Sequence, residues 1–163
     1  MNLFQLRPKN LFQLIQSFLK TVENLNNGGC GIAALALYDA AVLEGKNPKI
    51  IYLYHPYYDS TLHINEDVIR GEREKAESCW HVVIEIDGKI FHADGEITTE
   101  TENFGEMLDY PKHTVDREML INSLTNGGWN SSFDRKKWYP KIKEMVGLEV
   151  ELPLEYIGCG KFI

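Results

Sequence analysis

The chain has 163 residues, with 17 basic and 24 acidic side chains, a formal charge of −7, 44% hydrophobic and 25% charged residues. A chain of this length buries roughly two-thirds of its unfolded surface, so it reads as a single domain over 1–163 and not as a disordered segment. The acidic balance argues against a nucleic-acid partner, and the longest apolar run, Ile32 to Leu43, is broken by Asp39 and too short to cross a bilayer.

The cysteines Cys30, Cys79 and Cys159 are odd in number and widely spaced, which suits a reducing, cytoplasmic compartment better than a disulfide framework. No secretory signal is expected, because Arg7, Pro8 and Lys9 interrupt the apolar start. Leu11, Leu14, Ile15, Phe18, Leu19, Val22 and Leu25 recur at helical spacing and predict an amphipathic helix over Leu11 to Leu25, capped by Asn10. The run Asn24 to Gly29 breaks it. A second helix is expected from Cys30 to about Glu44, apolar on nearly every side and therefore central, ended by Gly45.

KIIYLY, Lys49 to Tyr54, reads as a strand, His55 to His63 as a loop, and Asn65 to Glu77 as a charged helix. HVVIEI and KIFHAD flank Asp87-Gly88 and predict a hairpin with a two-residue turn. Gly95 to Tyr110 shows no periodicity and reads as a loop. Helices are expected over Asp116 to Leu124 and within Phe133 to Val146. The alternation of Leu148, Val150, Leu152 and Leu154 suggests a last edge strand. The predicted class is α+β, a central helix packed on a small, mainly antiparallel sheet.

Cys30 lies between glycines at the mouth of the central helix. Unpaired N–H groups and the helix dipole stabilise a thiolate there, and glycines permit close approach of a second group. The alternative role is a small apolar residue filling a tight turn. In the hairpin, the two-residue turn pairs Ile86 with Lys89, Glu85 with Ile90 and Ile84 with Phe91. Extending the count places His81 opposite Asp94, with Val82, Ile84, Phe91 and Ala93 on the other, core-packed face. An imidazole beside a carboxylate, with a thiol at a helix terminus, suits nucleophilic catalysis. The imidazole takes the thiol proton and the carboxylate sets its tautomer.

NGGCGIAALALYDAAV and WHVVIEIDGKIFHAD resemble the papain-like cysteine peptidase superfamily in its broad sense, with NlpC-type peptidases, bacteriocin-exporter peptidase domains and transglutaminase-like proteins. The resemblance spans about Asn24 to Asp94. It implies a papain-like fold and a Cys30–His81–Asp94 triad that forms an acyl-enzyme on a peptide, isopeptide or other amide. Papain-type members carry an oxyanion-binding glutamine six residues before the nucleophile. That position is Asn24 here, one methylene shorter, with Asn26 and Asn27 nearby. Gly28, Gly29, Trp80 and His92 are the candidates for lining the substrate site. No cofactor, metal or membrane partner is expected.

Acyl transfer of the transglutaminase type needs the same residues and differs in the second nucleophile. A non-catalytic module is the other alternative, including a zinc site drawn from Cys30, Cys79, His81, His92 and Cys159, although no C-x-x-C pair supports it. The basic run Arg135 to Lys143 and the acidic stretch Glu96 to Asp109 read as solvated surface.

Overall fold

A computed structural model describes residues 10–26, 28–54, 79–126 and 133–154, with the backbone alone at 79 and 80. Four helices, α1 (Leu11–Leu19), α2 (Cys30–Leu43), α3 (Arg117–Asn126) and α4 (Arg135–Val146), accompany five strands among these residues. The strands are β1 (Lys49–Tyr54), β2 (Cys79–Ile86), β3 (Lys89–His92), β4 (Gly95–Ile97) and β5 (Lys112–Val115). They form one antiparallel sheet in the order β4-β3-β2-β1-β5, an α+β arrangement. None of the described helices is long and apolar enough to cross a membrane.

Strand alternation divides the interior into two layers. Ile50, Tyr52, Val82 and Ile84 face the helices and share a core with Ile15, Cys30, Leu35 and Tyr139. Ile51, Leu53, Val83 and Ile90 face the other way and are covered by Phe104, Met107, Leu108 and Tyr110. The mostly apolar α2 runs through the helical layer with ten buried residues. It ends where Gly45 adopts φ +78°, a left-handed conformation that glycine takes without Cβ strain. Arg117 clamps α3 onto α2 through paired 2.8 Å hydrogen bonds from Nε and Nη2 to the two Asp39 oxygens.

The Asp87-Gly88 turn has positive φ at both residues, 51° and 81°, as a type I′ hairpin requires. Its register pairs Ile84 with Phe91, Glu85 with Ile90 and Ile86 with Lys89, as the count predicts.

Four expectations are corrected. The first helix stops at Leu19, because the chain turns there to bury Val22 and Leu25 from a non-helical segment. Asn10 caps α1 by position, without a side-chain hydrogen bond. The segment expected as a loop after Asp94 contains β4 and a 3₁₀ turn, Gly105–Asp109, and the unassigned Lys112–Val115 pairs with β1. Leu148 to Leu154 forms no strand. Leu148 and Leu152 are buried in the helical layer, and α4 takes the backbone carbonyls instead, Tyr139 Oη donating to Val150 O (2.6 Å) and Arg135 Nη1 to Pro153 O (2.9 Å). The loop and helix expected between 55 and 77 lie outside the described residues.

Candidate functional site

Cys30 is the first residue of α2 and is 5% exposed. The backbone N–H groups of Val82, Gly31 and Cys30 itself favour its thiolate. Cys30 shares the helical core with Val82, which follows His81 directly in β2. This is the end of the sheet at which the β2–β3 ladder, which extends only as far as Ile84↔Phe91, has stopped. The expected thiolate is not the resting form. Burial pushes the thiol up to about 11 from 9.0, outweighing the three N–H groups, because charge is disfavoured where water is excluded.

Gly29 is part of the core rather than the wall of a cleft. It donates to Leu25 O at 2.8 Å, and a Cβ there would lie 2.7 Å from Leu25 Cδ1 and 2.9 Å from Phe133 Cδ1. Gly28, at φ +106°, completes the turn into α2.

His81 and His92 are both 2% exposed. His81 has the parity of Val83 and His92 that of Ile90, so both rings lie on the face away from the helices. Their nitrogens meet there, His81 Nε2 to His92 Nδ1 at 3.2 Å. Phe104 covers the pair, with ring centroids 5.2 Å from His81 and 4.6 Å from His92.

The expected His81–Asp94 pair is not formed. The chain leaves β3 after His92 and turns through Ala93-Asp94 into β4, with His92 paired to Gly95, so Asp94 is a turn residue and not a strand partner of His81. Its Oδ2 instead accepts a 2.8 Å hydrogen bond from Asn26 Nδ2. The same bond corrects the reading of Asn26 as an oxyanion donor, since its amide is committed to Asp94. Asn24 adopts φ 59° at the exposed turn before α2. Asn27, the side chains of Cys79 and Trp80, Trp129 and Cys159 lie outside the description.

The structure therefore brings Cys30 into one core with Val82, the chain neighbour of His81, and His81 beside His92, while Asp94 is drawn away. No side-chain hydrogen bond joins the Cys30 thiol to His81 among the described residues. His92, expected to line a cleft, is a buried partner of His81. A signal for this was present: the register puts Val83 opposite His92, which makes His92 the diagonal neighbour of His81 on one face. Phe104 had no comparable signal, because its segment lacks periodicity. Among the described residues no three His, Cys, Asp or Glu side chains cluster closely enough to hold a metal ion.

Burial, reinforced by the neighbouring His92, lowers His81 from 6.5 to about 3. His92 is lowered by burial and partly restored by Asp94. Both rings are neutral at pH 7, and stability depends on their remaining so. As pH falls from 6.5 towards 3, the unfolded chain binds a proton at His81 that the folded chain refuses. Stability is then lost at up to about 1.4 kcal/mol per pH unit from this residue alone. At the alkaline end the sign is set by Cys30: its contribution is intact below 9.0 and is lost as pH rises towards 11. Urea unfolding across the acid window should show a shallower pH slope for His81→Phe than for the wild type. Equal slopes would mean that His81 titrates normally.

Compared with known proteins, the chain matches no family model, no curated protein and no solved structure.

Proposed function

We propose that the chain is a thiol hydrolase of the papain-like type, a cysteine peptidase or amidase in a reducing, cytoplasmic compartment. Cys30 is the nucleophile, His81 the general base and His92 the group that orients it. One observation carries this reading: Cys30 shares the helical core with Val82, which is the chain neighbour of a buried histidine whose Nε2 lies 3.2 Å from Nδ1 of a second histidine.

The two imidazoles admit one shared proton in two arrangements. If His81 carries it on Nε2 and donates to His92 Nδ1, then His81 Nδ1 holds the lone pair and can accept the thiol proton. The reverse tautomer places a proton on Nδ1 and blocks the base. His92 does what a carboxylate or carboxamide does in other triads only in the first arrangement, with its own Nδ1 unprotonated and accepting from His81 Nε2.

The reaction begins from neutral partners. Cys30 lies in the helical layer and the His81 ring on the opposite face of β2, so proton transfer from Sγ to His81 Nδ1 requires the two to meet past the end of the β2–β3 ladder, and it accompanies Sγ–C bond formation at the substrate carbonyl. The imidazolium returns the proton to the leaving nitrogen as the C–N bond breaks, and water releases the acyl group by the same steps reversed. Burial disfavours thiolate and imidazolium individually, but the opposite charges formed together offset one another. The N–H groups of Cys30 and Gly31 at the α2 terminus, which favour the thiolate at rest, would turn to the oxyanion once the Sγ–C bond has taken up the sulfur charge, in place of a side-chain amide. Substrates would be peptides, isopeptides or other amides.

p-Nitrophenyl acetate provides a test that needs no knowledge of the natural substrate. The expected result is rapid nitrophenolate release of about one equivalent per chain, with acetyl found on Cys30 by mass spectrometry. Absence of acetylation at Cys30, or a rate unchanged in His81→Ala, would exclude the enzyme reading in favour of a non-catalytic module.

A further inference from the structure

We propose that Gln16 is a positioning residue for the His81–His92 pair, acting by clamping the backbone that carries His92. This rests on the reading of His81 as the base and names a residue through which its geometry is maintained.

The need for such a clamp follows from the sheet. The β2–β3 ladder extends from Ile86↔Lys89 only to Ile84↔Phe91, and His92 is paired in the ladder with Gly95 of β4. His81 is held on its other side by Leu53 of β1, so the two histidines face each other where each strand is paired to an outer neighbour but the direct β2–β3 ladder has ended. Gln16, half-buried in the middle of α1, supplies bonds at this place. Its Nε2 donates to His92 O at 2.9 Å and to Ala93 O at 2.6 Å. A second amide grips the same turn one residue further on, Asn26 Nδ2 to Asp94 Oδ2 at 2.8 Å, but it does not reach His92.

The orientation of the Gln16 amide is settled by its surroundings. A flipped amide would aim Oε1 at two carbonyl oxygens, which only accept. Oε1 is buried and has no hydrogen-bond partner among the described residues. The side chain thus leaves an acceptor unmet where an apolar residue of the same length would leave none, and what distinguishes it is the double donation from Nε2.

α1 is itself fixed to β3 and to the end of α2 opposite Cys30. Phe12 N donates to Glu44 Oε1 (3.1 Å) at the end of α2, and the Phe12 ring meets Phe91 of β3 edge-on at 5.4 Å. Gln16 consequently couples the position of His92 to the helix that carries Cys30.

The test compares the full chain with Gln16→Met, which keeps the length and removes the donor, Gln16→Glu, which keeps the shape but only accepts at neutral pH, and Gln16→Lys, which still donates. Imidazole ¹⁵N shifts report the tautomers of His81 and His92, p-nitrophenyl acetate reports Cys30 acetylation, and circular dichroism confirms folding. Gln16→Met and Gln16→Glu should alter the His81 and His92 nitrogen shifts and slow acetylation by about ten- to a hundredfold, the scale expected for a displaced catalytic group. Gln16→Lys should preserve both readouts better than Met.

Unchanged shifts and rates in Met and Glu would overturn the proposal. So would a ranking in which Met is retained and Lys lost, since that is the signature of packing alone. If the wild type is not acetylated, or is acetylated independently of His81, the enzyme reading fails, while the imidazole shifts still decide whether Gln16 sets the pair. If Met or Glu does not fold, the other is compared with Lys; if Lys does not fold, the wild type is the donor against which Met and Glu are judged.

Discussion

His81→Ala is expected to slow acetylation of Cys30 by about 10²–10⁴-fold, the range removed with a general base. The thiol begins protonated, with burial holding it up near 11, so almost no thiolate is available at neutral pH without an acceptor. His92→Ala should cost less, since the His81 ring persists but loses the group on its Nε2. Asp94→Asn should cost least, because Asp94 bonds Asn26 and not His81. This order separates the His81–His92 arrangement from a His81–Asp94 triad, in which Asp94 would rank above His92. His81 is almost fully enclosed, so alanine also leaves a cavity. His81→Asn, which fills more of the space without supplying a base, should show a comparable loss of rate with a smaller loss of stability.

Gly29→Ala is expected to destabilise the fold by about 1–3 kcal/mol, in the range for overpacking a tight site. The added Cβ would sit 2.8 Å from Leu25 O, as well as against the ends of Leu25 and Phe133. The side-chain ends can swing aside. The carbonyl cannot, because Gly29 N–H is bonded to it at 2.8 Å. Relief must therefore come from the turn that sets the start of α2, so Cys30 acetylation should decline together with the urea midpoint. An unchanged midpoint would mean that the turn has room the structure does not show.

The elements legible in the sequence are those specified by short-range patterns. The run after Cys30, apolar on nearly every side apart from Asp39, marked a central helix because it lacks a continuous polar stripe. KIIYLY marked a strand that is buried along nearly its whole length. Asp87-Gly88 specified the hairpin register outright, since both residues tolerate positive φ and a two-residue turn admits one pairing. Lys112–Val115 escaped notice because KHTV is short and weakly apolar, and becomes a strand only where the exposed edge of β1 offers it hydrogen bonds. Leu148 to Leu154 erred the other way: its alternation fits a strand, but Tyr139 and Arg135 capture its carbonyls.

Of the site, the sequence by itself determined that Cys30 opens a buried helix and that His81 and His92 share one face of a hairpin. Both follow from the periods of helix and strand, which are properties of neighbouring residues. The core-packed Val82 face was also legible, from the hairpin count. Long-range packing decided that Phe104 closes over the histidines and that Asp94 is taken by Asn26, 68 positions earlier in the chain. It also decided the protonation states, because a thiol at a helix terminus is stabilised as an anion only while water can reach it. Here the layers packed around Cys30 exclude that water, and whether they would do so depends on segments far apart in the chain rather than on the residues next to the cysteine.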